Sequence, residues 1–186
     1  NEIKPRKKKK YSLIGEFPPL VDIIGRDEIK EEIVEQLVSE KKLLMVGMAG
    51  IGKSALSRTL AEDLIEKHTV RWGTVTKFTD VEAIIKTWSG EDIVPSDSTS
   101  AADWICENLT EDLLILDEIQ NIHRRHRDSI TNLLKNLFEN PKSPMILLVS
   151  RAPAPIQGWK EIRIDGLDYS DAAELLDQDI SLIDRL

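Results

Sequence analysis

The run Leu43-Leu-Met-Val-Gly-Met-Ala-Gly-Ile-Gly-Lys-Ser54 carries the spacing G-x-x-x-x-G-K-[ST] directly after a short apolar stretch. Glycines in such a loop let backbone N–H groups curl around a polyphosphate, and a helix opening at Lys53 turns its positive dipole end toward the same anion. Lys53 is placed to reach the β- and γ-phosphates. The Ser54 hydroxyl is a hard oxygen ligand suited to Mg²⁺. The strand before the loop and the apolar spacing after it (Leu56, Leu60, Leu64) supply the context the motif needs. Gly47, Met48, Ala49, Gly50, Ile51, Gly52, Lys53, Ser54 and Ala55 are therefore expected to bind the nucleotide, ATP or ADP.

A second group follows at Leu113-Leu-Ile-Leu-Asp-Glu118, an apolar strand ending in two acids. Asp117 is expected to join Ser54 in holding Mg²⁺, through water. Glu118 is expected to orient and polarise an attacking water, with Lys53 and Arg151 as the other catalytic residues. Ser150 and Arg151 close a third apolar strand in the same way, and a hydroxyl and a guanidinium there can read a γ-phosphate. The cluster His123-Arg-Arg-His-Arg127 reads first as a solvated helix start, with a trans-acting arginine or an acidic partner as the sharper readings. Two histidines three apart, with no cysteines or carboxylates at ligand spacing, argue against a metal centre there.

The elements that must position these groups follow from periodicity. Asp27 is the expected cap of a helix whose buried stripe is Ile29, Ile33 and Leu37. Leu43 to Val46 is a continuous apolar run, as in a parallel strand covered on both faces. Val70, Trp72 and Thr74 alternate with polar neighbours and predict a more exposed strand. Val81, Ile84, Ile85 and Trp88 predict a helix, residues 89 to 100 a loop, and Trp104, Ile105 and Leu109 a short helix. Strands at Leu113 to Leu116 and Met145 to Val149 flank a helix bearing Ile130, Leu133, Leu134 and Leu137. Ile162 and Ile164 mark a thin last strand, and Ala172, Leu175 and Leu176 a final helix. The expected fold is α/β: a three-layer P-loop NTPase of the ASCE type, with a five-stranded, mostly parallel sheet between helices and ligands at its carboxyl end.

The 186 residues suffice for one core, expected over 20–168, with a basic arm at 1–19 and the start of a helical lid at 169–186. Cys106 is the single cysteine, which excludes an internal disulfide, and its helical apolar neighbours place it in the core. No apolar run approaches a membrane span and no charged-then-apolar leader opens the chain, so a cytoplasmic location is expected. The first residue is Asn1, compatible with a fragment or a processed product. The whole chain carries −8, yet residues 1–10 carry a net of +5, leaving −13 on the rest. So acidic a body is a poor general nucleic-acid binder. The arm reads as a solvated linker, or as a weak electrostatic contact with nucleic acid, anionic lipid or an acidic partner.

The chain resembles the STAND class of signal-transduction ATPases, which includes the NB-ARC and NACHT modules. Ile23-Ile-Gly-Arg-Asp-Glu28 looks like the segment that contacts adenine in that class, which implies nucleotide contacts for Ile24, Gly25 and Arg26. Gly47 to Ser54 is close to its phosphate loop and Leu148-Val-Ser-Arg151 is similar to its sensor strand. Ile164-Asp-Gly-Leu167 with Asp171-Ala-Ala-Glu-Leu-Leu176 is similar to its entry into the lid. The Asp117-Glu118 pair looks more like AAA+ and archaeal-type ATPases, which implies retained hydrolysis. The chain stops before the lid proline and the winged-helix histidine of that class. The resemblance implies an ATP-hydrolysing switch whose nucleotide state controls assembly with further copies or with flanking effector and sensor domains. Two alternatives stand beside it: an AAA+ remodelling or replication-initiation ATPase acting on DNA, and a non-hydrolysing scaffold with bound ADP.

Overall fold

A computed structural model of the chain describes residues 11–153, 156, 158–167 and 171–173. The basic run 1–10 and the expected lid residues Leu175 and Leu176 lie outside that set, while residues 171–173 are helical. Strands β1 (Leu13–Gly15), β2 (Lys42–Val46), β3 (Val70–Thr74), β4 (Leu113–Asp117), β5 (Met145–Ser150) and β6 (Lys160–Arg163) form one sheet in the order β1-β3-β4-β5-β2-β6. Every pairing is parallel. The sheet thus has six strands where five were expected. The additional one, β1, lies within the stretch read as an arm.

Helices cover both faces, as parallel strands require. α1 (Asp27–Glu40) and α2 (Lys53–Leu64) bury Ile33, Leu37, Leu56 and Leu60 against Leu43, Met45, Leu113, Ile115 and Leu147. α3 (Val81–Ser89), α4 (Ser98–Asn108) and α5 (Arg124–Glu139) pack Ile84, Trp88, Ile105, Ile130 and Leu134 on the other face, against Leu44, Leu114, Leu116, Ile146 and Leu148. Consecutive strand residues point to opposite faces, so the unbroken apolar runs of β2, β4 and β5 supply both cores at once. Each fully buried Leu or Ile contributes about 1.5–3 kcal/mol. Cys106 is buried in the second core.

Three expectations need correcting. Asp27 is the first residue of α1 and not its cap; Arg26 holds that position with no side-chain capping bond. The sequence window from 89 to 100 is not all loop, because Asp97 accepts from the Ser100 N–H at 2.9 Å and starts α4 at Ser98. β3 is not an exposed strand: β1 pairs along its outer edge, and the Phe17 ring lies 5.3 Å from the buried Trp72 ring. The Arg58 guanidinium of α2 lies over the Phe17 ring, 5.2 Å from its centroid. Among the described residues no helix is long and apolar enough to cross a membrane.

Candidate nucleotide site

The carboxyl ends of β2, β4 and β5 lie side by side, with Val46 paired to Ser150 and Leu116 to Leu148. The loop after β2 turns into α2 at Gly52, whose φ of 92° is a left-handed conformation that a side chain strains. Ala49, Gly50, Gly52, Lys53, Ser54 and Ala55 line a cavity of about 250 Å³, and Glu118 and Arg151 close it from the other strands. Five segments of sequence expectation, the loop, the helix start, two strand ends and the segment before α1, thus meet at one end of the sheet. Arg26 reaches the loop by donating to the Ile51 carbonyl at 3.4 Å. Gly25 lies against Asp171 of the carboxyl-terminal segment. Ile24, directly before Gly25, is half-buried.

Lys53 is only 6% exposed, and its Nζ donates to the Gly47 and Met48 carbonyls at 2.8 and 2.9 Å. Burial lowers its pKa, opposed by the charges of Glu118 and Asp117. An ammonium held on two neutral carbonyls gains from exchanging them for phosphate oxygens, because charge-assisted bonds are about twice as strong. The Ser54 hydroxyl donates to Asp117 Oδ2 at 2.6 Å, and Asp117 Oδ1 accepts from the Glu118 N–H at 2.7 Å. Asp117 is 4% exposed and burial raises its pKa, with the Ser54 bond working the other way. A buried carboxylate beside a hydroxyl oxygen is a donor set that fits Mg²⁺.

Glu118 has φ of 59°, unusual for a residue with a side chain and costing about 1–2 kcal/mol. Strain of this kind collects at functional sites. It turns the chain from β4 into a 3₁₀ turn at Ile119–Asn121, and the Glu118 carboxylate meets Arg151 Nη2 at 2.8 Å. Arg151 therefore pairs with the acid expected to activate water. Ser150 is buried and faces Gln120, to which its hydroxyl donates at 3.4 Å. Gln120 and Asn121 are contributors that motif reading missed; their only sequence signal is amide side chains two and three residues after Glu118. The cluster His123–Arg127 forms the start of α5, with His123 Nδ1 accepting from the Arg125 N–H at 3.3 Å.

A parallel α/β sheet with a phosphate loop and strand-ending acids defines a P-loop NTPase of the ATPase type. Residues 42–148, more than half of the sequence, match the AAA domain of the dynein-related subfamily, and the chain belongs to that family. No curated protein matches it by sequence. Its fold is similar to the Walker-type ATPase PABY2304 of Pyrococcus abyssi, at TM-score 0.61 and 15% identity over 88% of this chain and 59% of that one. It is also similar to Cdc6p of Pyrobaculum aerophilum (TM-score 0.60, 19% identity, 81% and 48%). The RuvB Holliday junction branch migration motor of Thermotoga maritima aligns at TM-score 0.55 and 15% identity, over 87% and 52%. The chain spans about half the length of these structures. The resemblance to STAND modules narrows accordingly to the AAA domain and the P-loop ATPase fold.

Proposed function

We propose that this chain is an ATP-binding and hydrolysing core whose nucleotide state controls assembly with further copies or flanking domains. The observation that carries the reading is the convergence of Lys53, Ser54, Asp117, Glu118 and Arg151 on one cavity. Ser54 and Asp117 would hold Mg²⁺, which when bound neutralises phosphate charge. Lys53 binds the β- and γ-phosphates and stabilises charge that grows on them. Glu118 accepts hydrogen-bond donation from the attacking water and orients it in line. Arg151 distinguishes triphosphate from diphosphate, since only the former offers it an anion to replace Glu118. Nucleotides then shift the arrangement through their differential affinity for its states.

Two versions share this core. A STAND-type regulatory switch is supported by the motifs from Ile23 to Glu28 and from Leu148 to Arg151. A DNA-acting remodelling or replication-initiation ATPase is supported by the AAA family membership and by similarity to Cdc6p and RuvB, and it fits at least as well. Lys53→Ala should abolish Mg-ATP binding in calorimetry while the domain stays folded. Glu118→Gln should still bind ATP and lose single-turnover hydrolysis by about 10²- to 10⁴-fold. Binding without turnover in the unmodified chain would instead support the ADP-scaffold alternative.

A further inference from the structure

Gln120 lies in the 3₁₀ turn after β4, half-buried and facing the end of β5. Its Nε2 donates to Glu118 Oε2, while its Oε1 accepts from the Arg151 N–H at 2.9 Å and the Ser150 hydroxyl at 3.4 Å. The partners fix which way the amide faces. An ionised carboxylate only accepts and a backbone N–H only donates, so one orientation satisfies both. An amide is suited to this bridge because it offers a donor and an acceptor on one planar group. A carboxylate lacks the donor, and an apolar isostere lacks both.

Glu118 Oε2 has two further partners: Arg151 Nη2 at 2.8 Å and Asn121 Nδ2 at 3.4 Å. The Arg151 side chain is 51% exposed, so that ion pair is weakly held. A γ-phosphate is a more highly charged anion within the same cavity and competes for the guanidinium. When Arg151 turns to it, Gln120 still ties the carboxylate to the Arg151 main chain, just after β5, through an uncharged amide.

We propose that Gln120 is a positioning residue for ATP hydrolysis, its amide holding Glu118 toward the nucleotide cavity while Arg151 exchanges between Glu118 and the γ-phosphate. This rests on the hydrolytic reading above. The bridge joins the ends of β4 and β5, so Glu118 keeps a tie to the Arg151 main chain whichever way the guanidinium turns.

The test compares Mg-ATP affinity and the single-turnover rate in the whole chain for wild type, Gln120→Met, Gln120→Glu and Glu118→Gln. Gln120→Met, close in size and without the amide, should bind ATP like wild type and turn over on the order of 10²-fold more slowly. Gln120→Glu can still accept from the Arg151 N–H but cannot donate to Glu118, so its turnover should be slowed at least as much as that of Gln120→Met. A wild-type rate in Gln120→Met or in Gln120→Glu, with Glu118→Gln inactive, overturns the positioning role alone. Loss of ATP affinity in parallel with rate marks Gln120 as structural and also overturns it. Absence of turnover in wild type overturns both this inference and the hydrolytic reading.

Discussion

Asp117 shows how a site residue weighs on the fold that holds it. It is 4% exposed, and burial raises its carboxyl above the ordinary 3.8 despite the Ser54 bond. The folded state therefore favours the protonated form. The cost of ionising Asp117 is absent below its unfolded value, enters as pH rises through the raised folded value, and is complete at neutral pH. Asp117→Asn can accept the Glu118 N–H with its oxygen and donate its amide to the Ser54 hydroxyl while removing the charge, so the nucleotide-free variant should melt a few degrees higher than wild type at neutral pH, on the order of 1 kcal/mol. The gap should close as pH falls toward 3. The same substitution should weaken Mg²⁺-dependent ATP affinity about 10- to 100-fold. Thermal unfolding from pH 3 to 8, beside calorimetry with and without Mg²⁺, checks both; a variant less stable than wild type at neutral pH would contradict the buried-charge account.

At the scale of elements, the segment before α1 is held by contacts that no local pattern announces. Gly25 has φ of 65°, and a Cβ there would lie 1.9 Å from Asp171 Oδ2 and 2.8 Å from the Asp171 Cβ. Gly25→Ala should cost about 1–2 kcal/mol through backbone strain and displace the carboxyl-terminal segment from the nucleotide side. Adding Asp171→Ala should remove the carboxylate contact but leave the 2.8 Å Cβ contact and the strain, giving partial recovery in thermal unfolding; full tolerance of Gly25→Ala would contradict this. The strands and helices around the phosphate loop were legible because β2, β4 and β5 are apolar on both faces and end in residues of distinct chemistry. β1 was not, because three residues beside a charged run show no period, and its partner β3 was consequently read as exposed. The Gln120 bridge was hidden for another reason: its partners Arg151 and Ser150 are thirty residues away in sequence, and only the parallel pairing of β4 with β5 brings them within reach.

For the whole molecule, the distribution of charge separates the two versions of the proposed function. A body of −13 repels a phosphate backbone, whereas residues 1–10 bring six lysines and arginines against one glutamate. The strand β1, at the sheet edge beside β3, begins three residues after that run in sequence. Nucleic-acid binding through the arm alone should release one counterion set per phosphate neutralised, so log affinity should fall against log salt with a slope of about −5 at most, and binding should vanish when residues 4–10 are deleted. With so few aromatic groups near the run, binding through it should be weak and independent of sequence. A regulatory switch predicts that ATP turnover is unchanged by DNA and by the deletion. A DNA-acting ATPase predicts turnover that rises with DNA. The measurement is ATP turnover with and without duplex and single-stranded DNA at two salt concentrations, in the intact chain and the deletion. Stimulation that survives loss of residues 4–10 would place the DNA contact on the AAA domain itself and decide for the remodelling version.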